Sequence, residues 1–552
     1  VQIHTWHYVV CTIWKKIEVS IRQESFLQMI QGILRTKDYK TFNVNDIEIS
    51  GAKNVKGALV GDSVEINSES KTVVRIIKRT HHASLIGTLE LASSSRYGFT
   101  SRGIPIYLFV PWNEAYPPFY VGSSYADRAT HVVALVDFED WAAGANCPRG
   151  LCRRVIGKCG DLSVEMEALV IHTHPVKWKG QLQLEPRIPF NQGGSYLDTR
   201  TFHIDPDGCR DIDDAISMWI HDSVVEVRIH IADVASLLAN NSILWSSHRL
   251  GETLYKDGAI VSGLFPAEVE ASCSLLPGKQ RKTLTLAFAW DMSTSTVVNL
   301  RWLQQEIVVK ESYTYETIVK SEWATLLKMV TSGLADRDVS DPHEWVSELM
   351  LFYNKTAAAV LKRAAKGILR RHSEPDQTLL ASLELEGFAP KFLAFKAGEY
   401  VDATDPNTLH WGLQEAVYCH ASSPIRRWVD CINQAILIHT LFVPEIAVPS
   451  YTIDLINAQA KRVKAFERDN FFVQMLLSNP MQTVKGHVIS NGNKTKVWVP
   501  EWNRCVSLVQ YIPAGSRITL SVYANPTHRN WKRRLILEVS SSELDTSTES
   551  GV

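Results

Sequence analysis

The segment His203 to Ala215, HIDPDGCRDIDDA, carries five aspartates in ten residues: Asp205, Asp207, Asp211, Asp213 and Asp214. Like charges crowded into one loop repel each other and raise carboxyl pKa values unless a cation neutralises them. Carboxylate oxygens are hard donors, so the matching ion is a divalent one such as Mg²⁺ or Mn²⁺. A solvated acidic turn is the plain alternative, but here apolar strand-like runs lie on both sides of the loop. A calcium-binding loop beginning at Asp205 would need Gly and Glu where the chain has Arg210 and Ile216.

A second group lies far downstream, at Ser422-Ser423-Pro424-Ile425-Arg426-Arg427. Ser423 suits a helix N-cap and Pro424 a first turn, and Ile425, Trp428, Val429, Ile432, Ile436 and Leu437 form an apolar stripe. The pattern predicts a helix over 423–442 with Arg426 in its first turn, where free N–H groups and a guanidinium together make an anion site. An isolated Arg pair would otherwise read as a surface ion pair.

These groups need a large scaffold, and 552 residues supply one. Hydrophobic residues at 45% and charged residues at 21% exclude a disordered or collagen-like chain. The 58 Lys+Arg against 59 Asp+Glu give a net charge of −1, so any nucleic-acid role must rest on local charge. Nine scattered Cys without zinc-knuckle spacing suggest reduced thiols in a cytoplasmic or nuclear setting. The longest uncharged run noted, Cys431 to Pro444, is shorter than the ~20 residues that span a bilayer, so no membrane role is expected.

Residues from about 40 to 180 read as short strands separated by turns, as in small antiparallel barrels. From about 185 to 480 the pattern turns mixed, with a strand at Glu226 to Ile231 and helices expected over 345–371, 423–442 and 452–477. A last β-like stretch, 483–540, holds nine Lys/Arg against two Glu, interleaved with Trp498, Trp502, Tyr511, Tyr523 and Trp531. That mixture suits a single-strand nucleic-acid platform, and equally a solvated barrel with aromatic core.

The loop resembles the signature of the RNase II superfamily, the RNB catalytic domain, whose four aspartates have the spacing of Asp205, Asp211, Asp213 and Asp214. VRIHIADVASLL (227–238), ASCSLLPGKQRKTLTL (271–286), the Glu348 to His372 stretch and HWGLQEAVYCHASSPIRRWVD (410–430) are similar to further family motifs, in the same order. Asp137 to His172 resembles the second cold-shock barrel of the eukaryotic exosome-nuclease (Dis3-like) branch; no PIN domain is evident. The resemblance implies an α+β fold with an RNB domain (185–480), two N-terminal cold-shock-like OB barrels (40–92 and 93–184) and a C-terminal OB barrel (481–540). Residues 1–39 are an extension and 541–552 a polar tail.

The resemblance further implies processive, hydrolytic 3′→5′ degradation of single-stranded RNA with a free 3′ end, with Mg²⁺ or Mn²⁺, alone or in an exosome-like or helicase-containing assembly. It makes Asp205 and Asp214 metal ligands, gives Asp211 to the metal and end-binding shell, and makes Asp213 the most sensitive carboxylate. Arg426 would stabilise the phosphate and Arg427, also counted among the RNA-binding residues, would hold the backbone or the helix, while Tyr255, Tyr315 and Glu467 would grip the 3′ end. Ala421, Ser422, Trp428 and Trp411 depart from the usual residues. A catalytically retired RNA-binding homologue is the main alternative. Asp205-Pro206-Asp207-Gly208 also resembles the nucleophile loop of haloacid-dehalogenase-type phosphatases, although Cys209 follows where those carry Thr or Val.

Overall fold

The computed structural model describes residues 29–142, 144–175, 196–197, 200–239, 250–386, 393, 396–479, 481–492, 494–525, 528 and 534–543. Residues 1–28, the tail beyond 543, and the cations Arg529, Lys532 and Arg533 with the aromatic Trp531 lie outside them. The chain divides into two compact units. One holds the described residues up to Pro175 with Asp469–Thr483 and Ser521–Glu538; the other is built on residues 200–468 with 484–520.

The first unit contains two β cores. Two three-stranded sheets enclose Leu34, Phe42, Ile49, Val64 and Val73. A closed five-stranded barrel encloses Leu89, Tyr107, Phe109, Phe119 and Val136. Strand Met29–Ile33 pairs with Ser63–Asn67, so this module starts before residue 40. Leu85–Leu89 pairs with Val132–Asp140 and Ile106–Pro111 and therefore belongs to the second barrel, ahead of the expected boundary at 93. Local spacing reveals strands but not their partners, which is why sequence misplaced both edges.

The second unit is organised around a seven-stranded sheet in which the strands Thr296–Val308, Gln280–Asp291, Val224–Ala232, Asp214–His221 and Thr201–Ile204 are neighbours in that order. One apolar cluster joins its buried face to the helices, through residues such as Phe202, Ile229, Leu286, Leu349, Tyr353 and Ile432. The helix Pro342–Ala364 starts where expected physically: the Asp341 side chain accepts from His343 N, Pro342 takes the first turn, and Lys362 and Arg363 close the last. It stops earlier than the predicted Arg371. Ala365 adopts φ 50° and Gly367 φ 119°, and Ile368–Arg371 forms a strand against Glu399–Asp402.

Across the sheet runs a buried polar chain: Thr201 and Ser217 hydroxyls 2.8 Å apart, Ser217 Oγ to His230 Nε2 at 2.9 Å, and His230 Nδ1 to Thr285 Oγ1 at 2.9 Å. Burial, then the Arg228 charge, pushes His230 down to about 3. The unfolded chain takes up this proton near pH 6.5 and the folded one does not, so His230 favours the fold above that pH. Stability falls by up to about 1.4 kcal/mol per pH unit as pH drops from about 6.5 towards 3. Urea midpoints at pH 7.5 and 5.0 should therefore separate, and His230→Gln should shrink the separation; an unchanged gap would remove His230 as its source.

Candidate active site

The acidic loop joins two paired strands, Thr201–Ile204 and Asp214–His221. Ile212 anchors it: its N–H donates to Ser274 Oγ and its C=O accepts from Leu275 N, both at 3.0 Å. The Cys-Ser-Leu block at 273–275 thus clamps the loop from below its aspartates. Strand Glu311–Tyr313 runs parallel to Thr201–Ile204, and Asp205 N–H extends that pairing to Tyr313 C=O at 3.1 Å. Tyr315 follows immediately and comes to lie beside the loop.

The four aspartates have different surroundings. Asp205 meets His203 Nδ1 at 2.9 Å, while His203 Nε2 is fixed by Ser312 Oγ. Asp214 is pushed up to about 7 by burial and by the neighbouring Asp205 charge. Asp211 accepts from the Tyr255 hydroxyl and, at 3.6 Å, from the Cys209 thiol. Asp213, only 3% exposed, accepts the Ile425 N–H at 2.8 Å, and its other oxygen lies 3.4 Å from Arg426 Nε without a hydrogen bond. Burial pushes the Asp213 carboxyl well up, against the pull of Arg426 and Ile425 N–H.

The segment before the helix Trp428–Leu441 is a turn, which corrects the expected helix start at Ser423. Two of its backbone N–H groups go to side chains, Ser423 N to Asp430 Oδ1 at 2.8 Å and Ile425 N to Asp213, while those of Arg426 and Arg427 return to the Ser423 C=O. Arg427 is extended (φ −130°) and bridges Glu252. Arg426 therefore does not sit in a helical first turn, and the helix dipole does not create its anion site. Asn354 sets the turn's entrance, its Oδ1 accepting from Ala421 N at 2.9 Å and its Nδ2 reaching Ser422 Oγ at 3.1 Å.

A cleft opens beside Arg426. Tyr255 and Glu252 form one wall, Arg426 and Arg427 another, and Phe466 and Glu467 of the helix Ile453–Ser478 a third. The Arg426 side chain is half-exposed, with Nη2 donating to Ser423 Oγ at 3.3 Å. Arg427 is ion-paired to the buried Asp430 at 2.9 Å. Burial pushes Glu252 up, against Arg427, while the Asp430 and Glu467 charges push the same way as burial.

Two family models match this chain: RNB domain over residues 195–321 and 320–443, and Dis3-like cold-shock domain 2 over 106–174. The chain carries an RNB domain. This RNB protein is 22% identical over 477 residues to exosome complex exonuclease RRP44 homolog A of Arabidopsis thaliana, covering 69% of this chain and 50% of the relative. It spans about half the length of the curated relatives it matches. Its fold is similar to that of Mycoplasma genitalium RNase R, solved with ribose-methylated single-stranded RNA (TM-score 0.67, 15% identity, 92% of this chain and 100% of that one). The fold of yeast Ssd1, a pseudonuclease, is similar too (TM-score 0.60, 16% identity, 95% and 82%).

In this RNB domain the predicted residues Tyr255, Arg426, Arg427 and Glu467 share one cleft, while Tyr315 lies near Asp205 and Asp214. Arg427 is spoken for by Asp430, so the geometry gives it to the fold rather than to RNA. The divalent-ion expectation has a mixed fit. The donors are hard oxygens, and the repulsion between Asp205 and Asp214 is what a cation would relieve. Asp211 and Asp213 are turned to protein partners, and among the described residues no three His, Cys, Asp or Glu side chains converge on one ion-sized site. Sequence reasoning missed Glu252 and also Glu270, pushed up to about 7 by burial and the Asp211 charge. Neither stands out in a linear pattern.

The C-terminal aromatics divide. Trp498 and Trp502 are core, with Leu379, Leu380 and Leu393 packed against Trp498 and Ile489, whereas Tyr511 is 71% exposed. Of the described cations there, Lys485, Lys494, Lys496 and Arg517 are exposed and Arg504 is partly so, but Arg534 is buried.

Proposed function

We propose that this chain is a divalent-metal-dependent 3′→5′ exoribonuclease that hydrolyses single-stranded RNA to nucleoside 5′-monophosphates. The observation that carries this reading is the tie between the two halves of the site. Asp213 binds both the Ile425 N–H and the Arg426 guanidinium, so the acidic loop and the phosphate-binding arginine are held as one unit.

In each cycle water adds across the last phosphodiester; the P–O3′ bond breaks, releasing a 5′-monophosphate and leaving a new 3′-hydroxyl on the shortened RNA. Arg426, half-exposed at the cleft, receives the scissile phosphate, and Asp213 fixes its direction. Glu467 accepts from the terminal ribose hydroxyls and Tyr255 packs along the incoming strand, supported by Asp211. Asp205 and Asp214, with Asp211 nearby, would hold Mg²⁺ or Mn²⁺, which when bound supplies an activated water and charge neutralisation at the phosphate. The Dis3-like relatives, named as exosome complex exonucleases, support an exosome-like assembly. Among the described residues no helix is long and apolar enough to cross a membrane.

The resemblance to Ssd1 keeps an RNA-binding pseudonuclease as the second reading. Incubation of 5′-labelled single-stranded RNA with Mg²⁺ separates the two. A ladder shortening from the 3′ end, abolished by EDTA and restored by excess Mg²⁺, is the expected result. Binding without cleavage at any divalent-ion concentration would establish the pseudonuclease, and phosphate release from small esters alone would point to the phosphatase.

A further inference from the structure

Tyr315 was expected to offer its ring to a base, yet one face of that ring is already covered. The His343 imidazole lies on it, with centroids 3.7 Å apart and planes 18° from parallel. That is the separation and tilt of a stacked nucleobase. His343 is anchored at the start of the helix Pro342–Ala364, where its N–H donates to Asp341 Oδ1 at 2.9 Å and Pro342 precedes it. Tyr315 is fixed from the other side by the strand Glu311–Tyr313 and by the Thr314–Thr317 capping box. The pair thus joins two elements whose backbones are hydrogen-bonded at these positions.

Tyr315 is half-buried, whereas His343 is exposed. Tyr315 feels the acidic loop: burial and then the Asp205 and Asp214 charges push its hydroxyl up to about 12. The two rings thus form a stack in which Tyr315 is half-buried beside the acidic loop and His343 is the exposed member.

We infer that His343, stacked on Tyr315, is the nucleobase platform of this site, and that a base of the RNA packs on its outer face. The inference rests on the exoribonuclease reading, and its substrate is that reading's RNA. A π-face accepts any base, so the platform tolerates all sequences but holds the wider purines more firmly.

The test uses the full chain carrying Asp213→Asn, to hold RNA without consuming it, and RNA with 2-aminopurine at its 3′-terminal position or at one of the next two. Binding should quench one of these probes, and His343→Ala should abolish that quench and weaken affinity by roughly 5- to 100-fold, the contribution of one stacked base. His343→Phe, which keeps a flat ring but no imidazole, should restore both. Circular dichroism melts of the variants control for folding, and in a refolding-competent background a mere packing role would shift the melt without moving the quench. Unchanged affinity and quench in His343→Ala overturn the inference, as does tighter binding, which would make His343 a plug that the base must displace. If no chain in the series binds RNA, it is the exoribonuclease reading that fails.

Discussion

Asp213→Asn lowers turnover of 5′-labelled single-stranded RNA by roughly 10³- to 10⁴-fold while RNA binding persists. The shape of the side chain is preserved, so the effect comes from its acceptors. One Asp213 oxygen accepts the Ile425 N–H and the other faces Arg426 Nε. If the Asn oxygen keeps Ile425, its amide N–H₂ points at a guanidinium, and two donors oppose each other with no acceptor between them. Arg426 then loses the charge that aims it, and the phosphate it would bind is no longer held in line with the acidic loop. The cleft walls formed by Tyr255 and Glu467 do not depend on this contact, which is why binding survives. Single-turnover rates at saturating enzyme, beside filter-binding isotherms and thermal melts, measure the three properties separately. A folded variant with wild-type turnover would remove Asp213 from the reaction.

The second large effect is on stability. Arg534 is buried in the N-terminal unit, where its guanidinium pairs with the Glu165 carboxylate, reaches Thr88 Oγ1 at 3.3 Å and donates to His528 C=O at 3.0 Å. Glu165 also accepts the Gly160 N–H at 2.8 Å. Both side chains are less than a tenth exposed, so solvent does not screen the pair. Glu165→Ala strands a buried cation and should cost about 3–5 kcal/mol, far above the ~0–1 kcal/mol of an exposed ion pair. Replacing both partners with apolar residues, Glu165→Leu with Arg534→Met, should recover much of that loss, because no charge is then left unpaired. Urea unfolding of the full chain, followed by tryptophan fluorescence, reads both. A loss below about 1 kcal/mol for Glu165→Ala would show that water reaches the pair.

Arg534 also shows how far charge counting can be read. It was one of nine cations in a stretch that looked like an RNA platform, and it is spent inside the protein. Trp498 and Trp502 are likewise core. A linear pattern of Lys, Arg and Trp cannot say which of them face water, because that depends on strand pairing: Lys496 opposite Ser507 is outside, while Val497 opposite Val506 is inside.

The aspartate loop, by contrast, was legible from the sequence. Its chemistry is local: five carboxylates within ten residues must repel, and the structure registers that repulsion at Asp214. Several residues of the further motifs are clamps. Ser274 holds the loop at Ile212, and Asn354 and Asp430 hold the turn that bears Arg426. The expected start of the helix over 423–442 fails for the same reason: Arg427 is extended at φ −130° and bridges Glu252, a partner far away in the sequence, so the helix begins only at Trp428.

What the sequence determined by itself was the set of reactive groups and the elements that carry them, since spacing and periodicity are properties of a continuous chain. Tertiary structure alone decided which carboxylate meets Arg426, which arginine is left for a phosphate, and that His343 lies on Tyr315. Two of these contacts, Tyr315 with His343 and Asp213 with Arg426, join residues 28 and more than two hundred positions apart in the sequence. Their energies come from burial and from fixed directions of approach, and neither exists until the sheet and helices have packed.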